Sequence, residues 1–260
     1  MNLDLSGKTA LVCGSTQGIG KATAIALAKM GANIILLARN EVKLKAVLKE
    51  LDLSYNQNHS YMCADFSNQN AISSVAKEIK NKKVHILINN TGGPAGGSIF
   101  QANPEAFITA FQMHLIANQK LSQAVISNMK DSCFGRIINV LSTSVKVPIN
   151  GLGVSNTIRG AVASWAKTLA NELGSHGITV NNVLPGFTHT NRLTTLIANK
   201  AQTQNVSEEQ IAKAMLSSVP AKRFGKAEEV ANAIAFLCSP AAGYINGVNV
   251  PVDGGRTGTL

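Results

Sequence analysis

The run Gly14-Ser15-Thr16-Gln17-Gly18-Ile19-Gly20 follows directly on the apolar stretch Thr9-Ala10-Leu11-Val12-Cys13. Glycines at a strand-to-helix turn let the backbone approach a pyrophosphate, whose charge meets the N-terminal end of the next helix. Alone, a glycine triplet is weak evidence for a nucleotide; between a strand and a helix it is much stronger. Farther along stand side chains able to polarise or protonate a ligand. Ser142 is followed four positions on by Lys146, and Ser155 by Arg159 at the same spacing. On a helix that spacing puts two side chains on one face. His114 adds an imidazole that titrates near pH 6.5 when unperturbed.

These groups need elements to carry them. Strand-sized apolar runs alternate with helix-period stretches: strands at Thr9–Cys13, Asn33–Leu37, Tyr61–Cys63, Val84–Asn89, Arg136–Val140, Thr179–Val183 and Val248–Val252. Between them the pattern predicts helices over Lys21–Met30, Glu41–Leu51, Ala71–Lys80, Phe107–Met129 and Arg159–Leu173, with Gly31 suited to a helix C-cap. Near-continuous apolar strands separated by helices indicate a parallel sheet covered on both faces. The expected fold is therefore α/β, a Rossmann-type doubly wound parallel sheet, with ligands at the carboxyl ends of the strands. No repeat, linker or composition break divides the chain, so a single domain over 1–260 is expected. The polar stretch 188–220 has no strand; it reads either as a helical pair covering the core or as a lid over a substrate.

The chain has 260 residues and a net charge of +10. Its Lys and Arg are spread along helices rather than gathered in one run, which argues against nucleic acid and leaves room for an anionic small molecule. No apolar run reaches the roughly 18 residues that span a membrane. No basic region followed by an apolar stretch opens the chain, so no secretory signal is expected. The cysteines, Cys13, Cys63, Cys133 and Cys238, form no C-x-x-C pair. Buried thiols at Cys13 and Cys63, a reducing cytoplasm and no metal site are the expectations.

Gly14-x-x-x-Gly18-Ile19-Gly20 resembles the nucleotide motif of the short-chain dehydrogenases/reductases, and Asn89-Asn90-Thr91-Gly92 is similar to that family's N-N-A-G strand end. Asp65 matches the acid held near adenine. Pro185-Gly186 with Thr188 and Thr190 match the loop at the nicotinamide end. Arg223-Phe224-Gly225, Glu228-Glu229-Val230 and Val252-Asp253-Gly254-Gly255 resemble C-terminal segments, so the likeness spans essentially the whole chain. It implies a cofactor site made of Gly14, Ser15, Thr16, Gln17, Gly18, Ile19, Gly20, Arg39, Asp65, Asn90, Gly92, Arg159, Pro185, Gly186, Thr188 and Thr190. NAD-selective relatives carry an acid at the end of the second strand, where this chain reads Ala38-Arg39-Asn40. A guanidinium there can hold a 2′-phosphate bidentately, so NADP (NADPH) is expected over NAD.

The resemblance breaks at the catalytic residues. Family members use a serine, a tyrosine, a lysine one helical turn on, and an asparagine. The matching positions here are Ser142, Ser155, Arg159 and His114. A serine hydroxyl ends short of where a phenol would reach, and its pKa lies far above a phenol's. Arg159 can grip a ribose but cannot exchange a proton at neutral pH. Lys146, in a loop expected to face the pocket, is the replacement donor to test first with Ser142; His189 is a further candidate. Asn90-Thr91-Gly92-Gly93-Pro94, Val145–Pro148 and Leu152–Asn156 look like a divergent subgroup similar to β-ketoacyl-acyl-carrier-protein reductases. The residues leave two readings open. One is an NADP-dependent oxidoreductase of a carbonyl or acyl-thioester substrate with a re-routed proton path. The other is a catalytically impaired NADP(H)-binding protein with a sensing or assembly role. The resemblance implies a homotetramer or homodimer, and Gly160–Ala166 would suit close helix packing.

Overall fold

Seven short runs of β-branched and aliphatic residues form one parallel sheet in the computed structural model, which describes residues 1–259. The strands are β1 (Thr9–Cys13), β2 (Asn33–Ala38), β3 (Ser60–Cys63), β4 (Ile86–Asn89), β5 (Gly135–Val140), β6 (Ile178–Pro185) and β7 (Asn249–Val252). Their order is β3-β2-β1-β4-β5-β6-β7. The chain reverses its direction of growth between β1 and β4, and a doubly wound sheet opens its ligand crevice at that point.

Helices cover both faces because each strand is apolar on both sides. On one face lie α1 (Gly18–Lys29), α2 (Glu41–Leu48) and α9 (Ala227–Cys238), whose Leu27, Leu44 and Ile234 pack on Val12, Leu36 and Ile138. On the other lie α3 (Gln69–Ile79), α5 (Ala117–Asp131) and α6 (Gly153–Leu173), whose Val75, Leu121 and Ala166 pack on Leu11, Leu87 and Val180. The remaining helices are α4 (Pro104–Phe111), α7 (Asn191–Gln204) and α8 (Glu208–Ser217). The last two occupy much of 188–220 as a packed pair with its own cluster, Leu193, Ile197, Ile211 and Met215.

Several boundaries differ from expectation. Helix α6 begins at Gly153, not near Arg159. Its weak helix formers Ser155, Asn156 and Thr157 are carried by Val154 and Ile158, which pack against Ala110. Ser155 and Arg159 therefore share one rigid helix. The predicted 107–129 helix is two α-helices joined by a π turn, Gln112–Ile116. Helix α9 is not among the helices expected from the sequence, although Glu228 and Glu229 in its first turn and the spacing of Val230, Ile234 and Leu237 mark it. Cys63, expected to be buried, is exposed because it ends the edge strand β3, where only Met62 turns fully inward. Cys13 is buried as expected, and burial pushes its thiol up to about 12.

A chain of carboxamides crosses the sheet. Asn89 Nδ2 donates to Asn139 Oδ1 at 2.9 Å, Asn139 Nδ2 to Asn182 Oδ1 at 2.8 Å, and Asn182 Nδ2 to Asn249 Oδ1 at 2.8 Å. Each donor faces its acceptor because the parallel register pairs Asn89 with Asn139, Asn139 with Asn182, and Asn182 with Asn249. Asn139 is wholly buried, so Asn139→Ala strips partners from two interior carboxamides. It should lower unfolding stability by about 2–4 kcal/mol. Asn249→Ala, at the exposed end, should cost less than about 1 kcal/mol. Urea midpoints compare the two; equal shifts would mean the interior links add nothing.

Candidate active site

At the end of β1 the backbone turns through Gly14 (φ +59°) and Gly18 (φ +54°), a conformation that side chains other than glycine's disfavour. A Cβ on Gly14 would strike the Asn90 carbonyl, and one on Gly20 the Gly14 carbonyl. Helix α1 then starts with Gln17 at its N-cap, making no side-chain capping bond, so its first N–H groups face the crevice unpaired. Asn90 braces the turn by donating from Nδ2 to the carbonyls of Cys13 (3.2 Å) and Gly14 (3.4 Å).

Two connected cavities open along the carboxyl ends of the strands. The larger, about 460 Å³, is lined by Gly14, Thr16, Gln17, Gly18, Ile19, Arg39, Asp65, Asn90 and Gly92 among others. Ser15 and Gly20 do not line it: Ser15 is buried beneath the turn and Gly20 serves the packing of Gly14. Arg39 projects into solvent and lies 3.6 Å from Asp65. Hydrogen bonds from the Ser67 N–H and hydroxyl hold the Asp65 carboxyl below its usual range.

The smaller cavity, about 220 Å³, brings together Ser142, Ser155, Arg159, Pro185, Gly186 and Thr188. Thr190, Asn90 and Thr91 border both cavities. Ser142 accepts from Ser144 N–H at 3.1 Å, which leaves its own hydroxyl proton free to donate. On α6, Arg159 Nε donates to Ser155 Oγ at 3.2 Å, and its Nη1 donates to the Val140 carbonyl at 3.1 Å. Burial pushes the Arg159 guanidinium down to about 10, with Arg192 adding repulsion, so it remains a cation at neutral pH.

Three candidate donors lie elsewhere in position or state. Lys146 lines neither cavity: the 3₁₀ turn Thr143–Val145 keeps Ser142 and Thr143 on the wall and carries Val147 and Pro148 out to the surface. His189 is exposed and also lies off the walls. His114 sits in the π turn, buried, with Nδ1 2.8 Å from Thr91 Oγ1. Burial, with repulsion from Arg159 and Arg192, pushes it down to about 3, so it is neutral near pH 7. Arg192 and Arg256, not foreseen from sequence, complete the smaller cavity. Their only signal was position, just after Thr190 and just after Gly254-Gly255. No helix here is long and apolar enough to cross a membrane, and among the described residues no cluster is arranged for a metal ion.

The family model described as enoyl-(acyl carrier protein) reductase matches residues 14–257. The NADPH-dependent reductase BacG of Bacillus subtilis is 31% identical, with 96% of this chain and 98% of that protein aligned. The chain belongs to the short-chain dehydrogenase/reductase family. The 3-oxoacyl-[acyl-carrier-protein] reductase FabG of Haemophilus influenzae is 34% identical over 96% of this chain and 98% of its own length. The solved L-sorbose reductase of Gluconobacter frateurii, complexed with NADPH and L-sorbose, superposes with a TM-score of 0.93 at 28% identity, over the whole of both chains. In this family member Ser142, Ser155 and the Arg159 that donates to Ser155 share the wall of the smaller cavity.

The low pKa of His114 couples stability to pH. Between pH 6.5 and about 3 the unfolded chain binds a proton on this imidazole that the folded chain refuses. Its contribution to stability is complete above pH 6.5 and falls on acidification by up to about 1.4 kcal/mol per pH unit. Denaturation of His114→Asn beside the wild type from pH 7 to 4 should show a shallower acid loss in the variant; parallel curves would refute a buried neutral imidazole.

Proposed function

We propose that the protein is an NADP(H)-dependent reductase of a carbonyl substrate, working as the 3-oxoacyl-acyl-carrier-protein reductases do but with a serine–arginine pair for proton delivery. The reading is carried by the hydrogen bond from Arg159 Nε to Ser155 Oγ on the wall shared with Ser142. Because Ser155 accepts from a guanidinium, its own O–H is polarised and free to point at a ligand oxygen.

The glycine cradle, the uncapped start of α1 and the Arg39 guanidinium suit a dinucleotide bearing a 2′-phosphate. NADPH, when bound, supplies the hydride. The chain's part is to hold the carbonyl oxygen and return a proton to it. Ser142 and Ser155 donate hydrogen bonds to that oxygen, and the cationic Arg159 stabilises the negative charge it develops. Ser155 is too weak an acid to give up its proton alone. It passes a proton from solvent water to the oxygen and is reprotonated in the same relay. The carbonyl becomes an alcohol with one hydride and one proton gained. His114, neutral and bonded to Thr91, positions that loop and does not exchange the proton.

Exposed Phe100, Ile108 and Phe111 around α4, and Tyr244 and Val248 beside β7, suit pairing of subunits into a homodimer or homotetramer. Free, scattered cysteines fit a cytoplasmic setting.

Following 340 nm absorbance with NADPH and a panel of 3-oxoacyl thioesters, diketones and oxo acids should reveal turnover. Ser155→Ala should lower kcat by roughly 10²–10³-fold with NADPH affinity retained. Tight NADPH binding with no oxidation across the panel would overturn the reductase reading in favour of a non-catalytic binding protein. Arg39→Ala should weaken NADPH binding by about tenfold or more, given the strength of charged hydrogen bonds, and leave NADH binding unchanged. Equal loss for both nucleotides would refute the role of Arg39.

A further inference from the structure

The smaller cavity is unbalanced in charge. Arg159, Arg192 and Arg256 all border it, and no aspartate or glutamate does. Nor does any Asp or Glu among the described residues form an ion pair with these three. Arg159 and Arg192 converge: the Nη2 atoms of both would lie 2.9 Å from a Cβ placed on Gly93. Arg192 spends its donors on neutral carbonyls, Gly93 O at 3.0 Å and Pro94 O at 3.3 Å.

Arg256 is held differently. Its guanidinium lies over the Phe187 ring, 4.3 Å from the centroid, and Phe224 meets that ring edge-on at 6.3 Å. Its Nη1 approaches Thr143 Oγ1 at 3.5 Å, and its Nε is buried with no hydrogen-bond partner. The nearest acid in sequence, Asp253, is occupied by the N–H groups of Gly255 and Thr257 and by the Thr257 hydroxyl. A planar guanidinium stacked in place and short of acceptors is preorganised for a carboxylate, which it can take in bidentate fashion. Thr143 adjoins Ser142, so an anion on Arg256 would bring a carbonyl only a short distance away toward Ser142 and Ser155.

We infer that the substrate of this site is a small oxo acid, its carboxylate held by Arg256 with support from Arg192 and its keto group presented to Ser142 and Ser155. This deepens the reductase reading and rests on it. Arg159 is engaged with Ser155, and Arg192 borders both cavities, whereas Arg256 borders the smaller and, on its outer side, a surface groove with Thr143 and Pro148. At about 220 Å³ that cavity lies below the ~300–1,000 Å³ of drug-sized sites, which suits a short acid better than a long chain.

The test compares 2-oxobutanoate and 3-oxobutanoate with their methyl esters as substrates for NADPH oxidation. For the better acid, kcat/KM should exceed that of its ester by about 100-fold, the scale of one charged pair in a desolvated site. In Arg256→Gln the acid-to-ester ratio should fall toward unity, and Arg256→Lys, keeping the charge without the fork, should give an intermediate ratio. A wild-type ratio near one, or a ratio untouched by Arg256→Gln, would overturn the inference. Acetonylphosphonate is the arm for a phosphate-like group: turnover above that of 3-oxobutanoate would overturn the assignment to carboxylates. Calorimetric titration of the same acids and esters into the protein–NADP⁺ complex separates the two readings. Acid binding that Arg256→Gln weakens at least tenfold, with no turnover, would sink the reductase and keep the anion site. Equal binding of acid and ester would sink the anion site whatever the turnover.

Discussion

Four carboxamides joined head to tail, Asn89 to Asn139 to Asn182 to Asn249, tie together β4, β5, β6 and β7. Every group at the reacting end of the crevice hangs from one of these links. Asn89 leads into Asn90, which braces the glycine turn, and Thr91, which holds His114. Asn139 leads into Val140, whose carbonyl fixes Arg159, and on to Ser142. Asn182 leads to Pro185, Gly186 and Thr188, and Asn249 to the segment that carries Arg256. In a parallel sheet the backbone bonds fix strand spacing, but a slip of one residue would turn every side chain to the opposite face. Interior carboxamides that find partners only in one register penalise that slip, because each would otherwise be buried unpaired.

The second constraint is charge. A buried cation is tolerated only where it is paired or well hydrogen-bonded. Arg159 meets this with the Val140 carbonyl and the Ser155 hydroxyl, neither of which carries charge. Arg192 likewise leans on backbone carbonyls. The excess positive charge therefore has no acidic partner among the described residues lining the smaller cavity, and the proposed nucleotide and oxo acid would neutralise it. On the proposed reading, Ser155 and Arg159 standing for the tyrosine–lysine pair that the resemblance implies keep the cation and the one-turn spacing while shortening the proton-bearing arm. Such a site gives up acid strength and gains room and field.

What could be read from the sequence divides along the line between local and assembled features. The glycine turn was legible because its function resides in consecutive residues: a strand, positive-φ positions and a helix start, all within Thr9–Lys29. The parallel sheet was legible from apolar runs, apart from end effects such as Cys63 on the edge strand. The position of Lys146 off both cavity walls was not legible, because a single 3₁₀ turn sets where the residue four after Ser142 lies, and no periodicity signals that turn. His114 was located but not its state, since burial within a π turn depends on the packing of α4, α5 and α6 together.

Arg192 and Arg256 were invisible for a deeper reason. A lone arginine in a basic chain reads as a solvated surface group, and nothing near it in sequence says otherwise. Its meaning arises only when segments distant in the chain, one opening α7 and one following β7, come to the same crevice as Ser142 just after β5 and Arg159 on α6. The segments after β6 and β7 supply much of the wall of the smaller cavity. The smaller cavity is thus assembled in the part of the fold where sequence is least informative, and the glycine turn lies where it is most so. The Phe187–Arg256 stack links the two: Phe187 follows directly on the Pro185-Gly186 turn of the nicotinamide-end loop, so a shift of that loop moves the guanidinium with it. On the proposed reading, cofactor placement and substrate charge recognition are therefore mechanically one unit.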